Sequence, residues 1–335
     1  MEFKRDVCLM KLEKEMNETF QRYLKAAEQG DMEAQHNIGV CYEQGDGVGK
    51  DEAKAFEWYL KAAKQGQVAS QYKVGVFYSN GWGVSKKNNT KAFNWYLKAA
   101  KQGEMKAQNN VGSFYLHGWG VGKSNTKAFE WLHKAAEQGF KEAQYNVGVC
   151  YDQGWGVGKD QAKAFEWYLK AAEQGFKEAQ HQVGVCYKQG WGAAKDQAKA
   201  FKWYLKAAEQ GFDEAQHRVG VCYDQGWGVG KDQAKAFEWC LKAAEQGLKE
   251  AQYNIGLCYE NGWGVAKDQR KAFKWYLKAA EQGLKEAQYS VGLCYDEGWG
   301  VGKNKTKAFN WYVEAAEHGH MKAKSIVESS LRVKI

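Results

Sequence analysis

The apolar positions of this chain fall in short runs with helical spacing, and the runs come in pairs. Between residues 143 and 154, apolar or small side chains stand at Ala143, Val147, Cys150, Tyr151 and Gly154. Steps of three and four are the signature of one buried stripe on a helix, here helix A. From 164 to 172 the set is broader: Ala164, Phe165, Tyr168, Leu169, Ala171 and Ala172, with Trp167 beside them. This second helix, helix B, is apolar over so much of its circumference that it must touch neighbours on more than one side.

The pair is one unit copied along the chain. The segment AQYNVGVCYDQGWGVGKDQAKAFEWYLKAAEQGFKE recurs with starts at Ala34, Ser70, Ala107, Ala143, Ala179, Ala215, Ala251 and Ala287. The period is 36 residues, apart from one step of 37 where VSKKNNTKAF carries an extra residue. Upstream, Phe20 to Gly30 matches only the second half of a unit, and downstream AKSIVESSLRVKI matches only the start of the first half. The expected organisation is an N-terminal helix with a capping half-repeat over 1–30, eight repeats over 31–319, and a C-terminal capping half-repeat over 320–335.

The punctuation agrees with two helices per unit. Asp51, Asn88, Ser124, Asp160, Asp196, Asp232, Asp268 and Asn304 precede each helix B, and all are residue types whose side-chain oxygen caps free N–H groups. Each helix B closes on a glycine, Gly30 through Gly319, which suits a left-handed C-terminal residue. One further glycine breaks the local rule. Gly39, Gly75, Gly112, Gly148, Gly184, Gly220, Gly256 and Gly292 sit inside helix A, where each costs about 1 kcal/mol against Ala. Their recurrence implies a helix crossing too tight for a Cβ. Helix pairs this short cannot bury their apolar faces alone, so the fold expected is all-α: a right-handed α-solenoid of stacked antiparallel helix pairs, neighbouring units about 10 Å apart.

These residues carry a family resemblance. The unit is similar to the Sel-1-like repeat, a relative of the tetratricopeptide repeat in the HCP-like superfamily. Its pattern is met in this chain by Ala143, Val147, Gly148, Tyr151, Gly154, Gly156, Val157, Lys159, Asp160, Lys163, Ala164, Trp167, Tyr168, Lys170, Ala171, Ala172 and Gly175. The resemblance spans residues 20 to 327. Two departures matter: the connector holds Gly158, Ser85, Ala194 or Ala266 where the family often has Pro, and only one site per unit is Cys, so the inter-helix disulfides of some members do not carry over. The resemblance implies a scaffold or adaptor for protein complexes, in settings such as signalling.

Composition narrows the chemistry. No apolar run approaches the roughly 20 residues that span a bilayer, and the charged N-terminus MEFKRDVCLMKLEKEM does not read as a secretory signal. A cytoplasmic, monomeric protein without membrane insertion is expected. The net charge of +8 is spread among interleaved Lys and Glu, so no concentrated basic face for nucleic acid is expected. GWGVGKS at 118–124 looks like part of a phosphate-binding loop, but position 117, where the motif needs its first Gly, is His117, and the stretch follows a helix rather than a strand. It reads as a connector. Cys41, Cys150, Cys186, Cys222, Cys258 and Cys294 share one helix A site that also accepts Phe77 and Phe114, which reads as buried thiol. Without CxxC or Cys/His clusters, no metal, cofactor or catalytic residue is expected.

Two rows remain as candidate binding surfaces. On helix A the copied frame carries varied residues: His36, Tyr72, Tyr145, His181, His217, Tyr253 and Tyr289 at one position, Lys73 and Arg218 at the next, and Lys188 further along. If helix A lines the concave face, this row reads a partner; neutral drift at exposed sites gives the same pattern. The connectors supply a second row, Trp82, Trp119, Trp155, Trp191, Trp227, Trp263 and Trp299, either covering the adjacent repeat or gripping a ligand. The expected function is a non-catalytic interaction scaffold binding another protein on the helix A face. The alternatives are a module for glycan or anionic polymer along the tryptophan edge, and a regulatory subunit of an enzyme on another chain.

Overall fold

The computed structural model describes residues 2–332, with side chains from 14 to 330. Those residues form eighteen helices, with no strand among them. The chain divides into two units, 1–171 and 172–335. The first opens with α1 (Glu2–Glu28). Helix A and helix B then alternate as α2 (Met32–Gln44) and α3 (Glu52–Lys64), α4 (Val68–Asn80) and α5 (Asn89–Lys101), α6 (Met105–His117) and α7 (Asn125–Glu137), and α8 (Lys141–Gln153) and α9 (Gln161–Glu173). The second holds α10 (Lys177–Gln189) and α11 (Gln197–Glu209), α12 (Asp213–Gln225) and α13 (Gln233–Glu245), α14 (Lys249–Asn261) and α15 (Gln269–Glu281), α16 (Lys285–Glu297) and α17 (Lys305–Glu317), then α18 (Met321–Arg332). From α1 to α8 and from α10 to α18, each helix packs on the next. The chain is an all-α solenoid of repeats.

Local chemistry sets these helix ends. The eight expected caps of helix B all accept a backbone N–H three residues on, as Asp51 does from Lys54 and Asp160 from Lys163, both at 3.0 Å; each such cap contributes about 1 kcal/mol. Helix A ends on a left-handed glycine. Gly154, placed by its spacing on the apolar stripe, is that C-cap, at φ 75°. The second glycine of the connector answers a different need. At Gly120, φ 63°, a Cβ would run into the backbone of Asn89 and Thr90 in the first turn of α5. GWGVGKS is therefore a connector pressed onto the preceding helix B, with Ser124 as the N-cap of α7.

The core is built from the glycine inside helix A. A Cβ on Gly148 would stand 2.6 Å from the ring of Tyr168 on the helix B that follows. That contact outweighs the helix propensity an alanine would gain, because overpacking costs about 1–3 kcal/mol. Tyr59, Tyr96, Tyr204, Tyr276 and Tyr312 lie the same way against Gly39, Gly75, Gly184, Gly256 and Gly292. Between repeats, the helix B Phe meets the next helix A Tyr edge-on, as in Phe56–Tyr78 at 5.2 Å and Phe201–Tyr223 at 5.3 Å, a favoured geometry. The helix B tryptophans pack between repeats too: Trp131 lies on the core formed by α5 and α6. The Lys170 ammonium lies over the Trp167 ring at 4.0 Å, an attraction of about 0.5–1 kcal/mol.

A buried amide ladder completes the frame. The helix A glutamines Gln35, Gln71, Gln108, Gln180, Gln216 and Gln252 are buried. Each donates to a backbone carbonyl eight residues earlier, at 3.1–3.3 Å. Each also accepts, at 2.7–2.9 Å, from the Gln that ends the next helix B: Gln65, Gln102, Gln138, Gln210, Gln246 and Gln282 in turn. At Gln288 the donor is instead His318, at 2.9 Å. A buried amide left unpaired would cost about 1–3 kcal/mol, so the ladder ties each repeat to its neighbour.

Candidate functional site

The varied helix A row is shaped by the glycine three residues further on. Residues three apart share a helix face, so a ring laid across Gly39 also meets His36. His36 lies 5.5 Å from Tyr59, and the pairs Tyr72–Tyr96, Tyr145–Tyr168, His181–Tyr204, Tyr253–Tyr276 and Tyr289–Tyr312 repeat the contact at 5.5–5.7 Å. These candidate residues are half-buried, one edge on helix B and the other toward solvent.

The next position knits repeats together. Lys73 donates to both carboxylate oxygens of Glu43 at 2.9 Å, and Asn146 donates to Asn109 at 2.9 Å. His36 meets Ser70 at 2.8 Å. Arg218 differs: it is exposed, and among the described residues no carboxylate pairs with it. On either side stand His181 and His217. Burial first, and Arg218 second, hold both imidazoles down at about 4, so both are neutral at pH 7. His181 Nε2 and His217 Nδ1 are buried without a hydrogen-bond partner. Lys188 lies over the Trp227 ring at 4.9 Å. The second unit thus presents a bare guanidinium beside two neutral imidazoles, whereas in the first unit Lys73 is cancelled by Glu43.

Six of the seven connector tryptophans, Trp82, Trp119, Trp155, Trp191, Trp263 and Trp299, are 40–45% exposed. Trp227, under Lys188, is half-buried. Trp119 stacks on His117 at 4.3 Å. The sequence reading did not foresee that carboxylates at the helix A register of Lys188 take tyrosine hydroxyls: the Tyr59 hydroxyl donates to Glu43 and the Tyr276 hydroxyl to Glu260, at 2.6 Å in the latter. The signal was present, since Glu43, Asp152, Asp224, Glu260 and Asp296 share that register. Burial raises the helix A thiols, Cys150 and Cys222 to about 11 and Cys294 to about 12, so these thiols are protonated and inert at neutral pH. Among the described residues no helix is long and apolar enough to cross a membrane.

The model of the Sel1 repeat matches residues 23–31, 33–67, 68–104, 106–140, 141–176, 177–212, 213–248, 249–284 and 285–320. Among solved structures the chain is similar to c5321, a protective antigen present in uropathogenic Escherichia coli strains and displaying an SLR fold. The identity is 37% and the TM-score 0.83, over 92% of this chain and 66% of that one; the chain thus spans a little under two thirds of that antigen's length. It is also similar to a Sel1 repeat protein from Oxalobacter formigenes, with 32% identity and a TM-score of 0.70 over 92% of this chain and 89% of the other. Among curated proteins no sequence matches.

Proposed function

Because the chain belongs to the Sel1 repeat family, whose members generally mediate protein–protein interaction, we propose that it is a non-catalytic scaffold that docks a segment of another protein on its helix A face. The observation that carries this reading is Arg218, an exposed cation with no carboxylate partner among the described residues, set between His181 and His217 on a frame otherwise copied from repeat to repeat. A docking segment would bring a carboxylate or phosphate to Arg218, since a guanidinium holds such groups through paired hydrogen bonds. Lys188 would add a second positive contact, and the half-buried Tyr253 and Tyr289 would offer flat apolar faces further along. The setting that fits is complex assembly or signalling in the cytoplasm, with the chain acting as a monomer.

The exposed connector tryptophans support a second reading, in which the edge grips a glycan or an anionic polymer. One experiment separates the two. The partner is captured on the full chain and identified by mass spectrometry, and its affinity is measured for a variant with His181, Lys188, His217 and Arg218 all changed to Ala. The same measurement follows for a variant with the six exposed tryptophans changed to Ser. At least a tenfold loss in the first variant alone is expected; loss in the tryptophan variant alone would reverse the assignment to the edge.

A further inference from the structure

One helix B departs from the tyrosine seat in a way that leaves space. In α13 the residue equivalent to Tyr59 and Tyr276 is Cys240. Its Sγ sits over Gly220, where six other repeats place the root of a tyrosine ring. Beyond the sulfur lies a cavity of about 150 Å³ lined by α12, α13 and α14, with Trp263 from the connector that follows. Gly220, Ala236 and Cys240 form its buried floor, Val221 and Leu257 are among its half-buried walls, and the exposed Gln233 and Trp263 stand at its rim.

The wall keeps the acceptor that a tyrosine hydroxyl uses elsewhere. Asp224 occupies the register of Glu43 and Glu260, which receive the hydroxyls of Tyr59 and Tyr276. Gln225 donates to one Asp224 oxygen, Oδ2, and a carboxylate has acceptor sites to spare. In α7, where Leu132 replaces the tyrosine, this carboxylate is gone as well, since its register holds Leu116, packed against the same cluster. The α12–α13 repeat has thus lost the phenol and retained a carboxylate, shorter than Glu43 and Glu260, at the acceptor's register.

We propose that this cavity is a binding site for a small single-ring phenol. The ring lies over Gly220 and Cys240, between Leu257 and Ala236, and the hydroxyl donates to Asp224. A cavity of about 150 Å³ with apolar walls takes a benzene-sized ring. A free phenol, not tethered to α13, can move the short distance by which an aspartate falls behind a glutamate. A cavity of about 150 Å³ is filled by the ring alone, so the site should select free phenols over tyrosyl peptides.

The test is calorimetric titration of the full chain with p-cresol, toluene and an N-acetylated, amidated Ala-Tyr-Ala tripeptide. A saturable one-to-one isotherm is expected for p-cresol, with toluene at least about tenfold weaker, the factor that a hydrogen bond to a charged acceptor supplies. Cys240→Tyr refills the space with the residue its siblings carry, and Cys240→Leu does so with the residue of α7; both should abolish binding. Asp224→Ala should weaken p-cresol about tenfold and leave toluene unchanged. No saturable binding to the natural chain, undiminished binding in both Cys240 variants, equal affinity for toluene, or preference for the tripeptide would each overturn the proposal.

Discussion

Two repeats lack the tyrosine that six others lay against the helix A glycine, and their neighbourhoods have responded in opposite ways. Around α6 and α7 the change is compensated on every side. Leu132 is fully buried against Gly112, Leu116 replaces the carboxylate, and Phe114 fills the site where most repeats have Cys. Around α12 and α13 Cys240 is smaller than the tyrosine it replaces, Asp224 and Cys222 are unchanged in kind, and a cavity results. The lesson is that a lost side chain is cheap only when the group that bonded to it is lost too. A carboxylate left beside a void keeps the site polar, whereas an all-apolar repacking closes it.

Shortening both residues should widen the contrast most. Leu132→Ala is expected to cost about 2–5 kcal/mol, because a filled seat becomes a cavity. Cys240→Ala should cost only about 1 kcal/mol, because a cavity is already there. Denaturant unfolding of both variants checks this, and equal losses would mean that the seat in α13 is as tightly filled as that in α7.

Acid should separate the two repeats next. His217 stands in the open repeat and His181 in the one before it, while the closed repeat has Asn109 at that position. Both imidazoles are held at about 4 by burial and Arg218, against a weaker opposing pull from Glu250 on His217 and from Asp213 on His181. A depressed histidine favours the fold while neutral, so its contribution is complete above about 6.5 and is lost as pH falls toward 4. Between pH 7 and 4, amide protection, corrected for the intrinsic exchange rate, should therefore fall in α10 to α13 before it does in α6 and α7. Changing both residues to Gln should flatten the difference. The smallest effect expected is for Lys188→Ala, which uncovers Trp227: a red shift in tryptophan emission with a loss of no more than about 1 kcal/mol.

Much of this fold was legible because its signals are local. Caps such as Asp51 and closing glycines such as Gly175 act within a few residues of themselves, so their sequence spacing is their geometry. What was hidden depends on helix-to-helix contact. The glycine inside helix A announced a close approach, yet its partner, Tyr168 for Gly148, lies 20 residues away on another helix. The same contact draws His36 and Tyr72 half inward, which a reading of variable positions as open surface does not foresee. Nothing in the apolar pattern marks Gln35 and its equivalents, since glutamine is mostly exposed, and only the ladder explains why every copy retains one. Cys240 was visible as a substitution, but its meaning required seeing what had filled the space elsewhere.

That ladder also has a direction. In each of the six full rungs the buried glutamine accepts from the helix B of its own repeat and donates to a carbonyl of the helix before it, so the array carries an arrow along the chain. Adding or removing one whole 36-residue unit leaves every donor and acceptor matched. Growth by duplication of complete units is thus chemically silent, and the change from Gln to His at position 318 preserves the donor for Gln288, the last acceptor in the row.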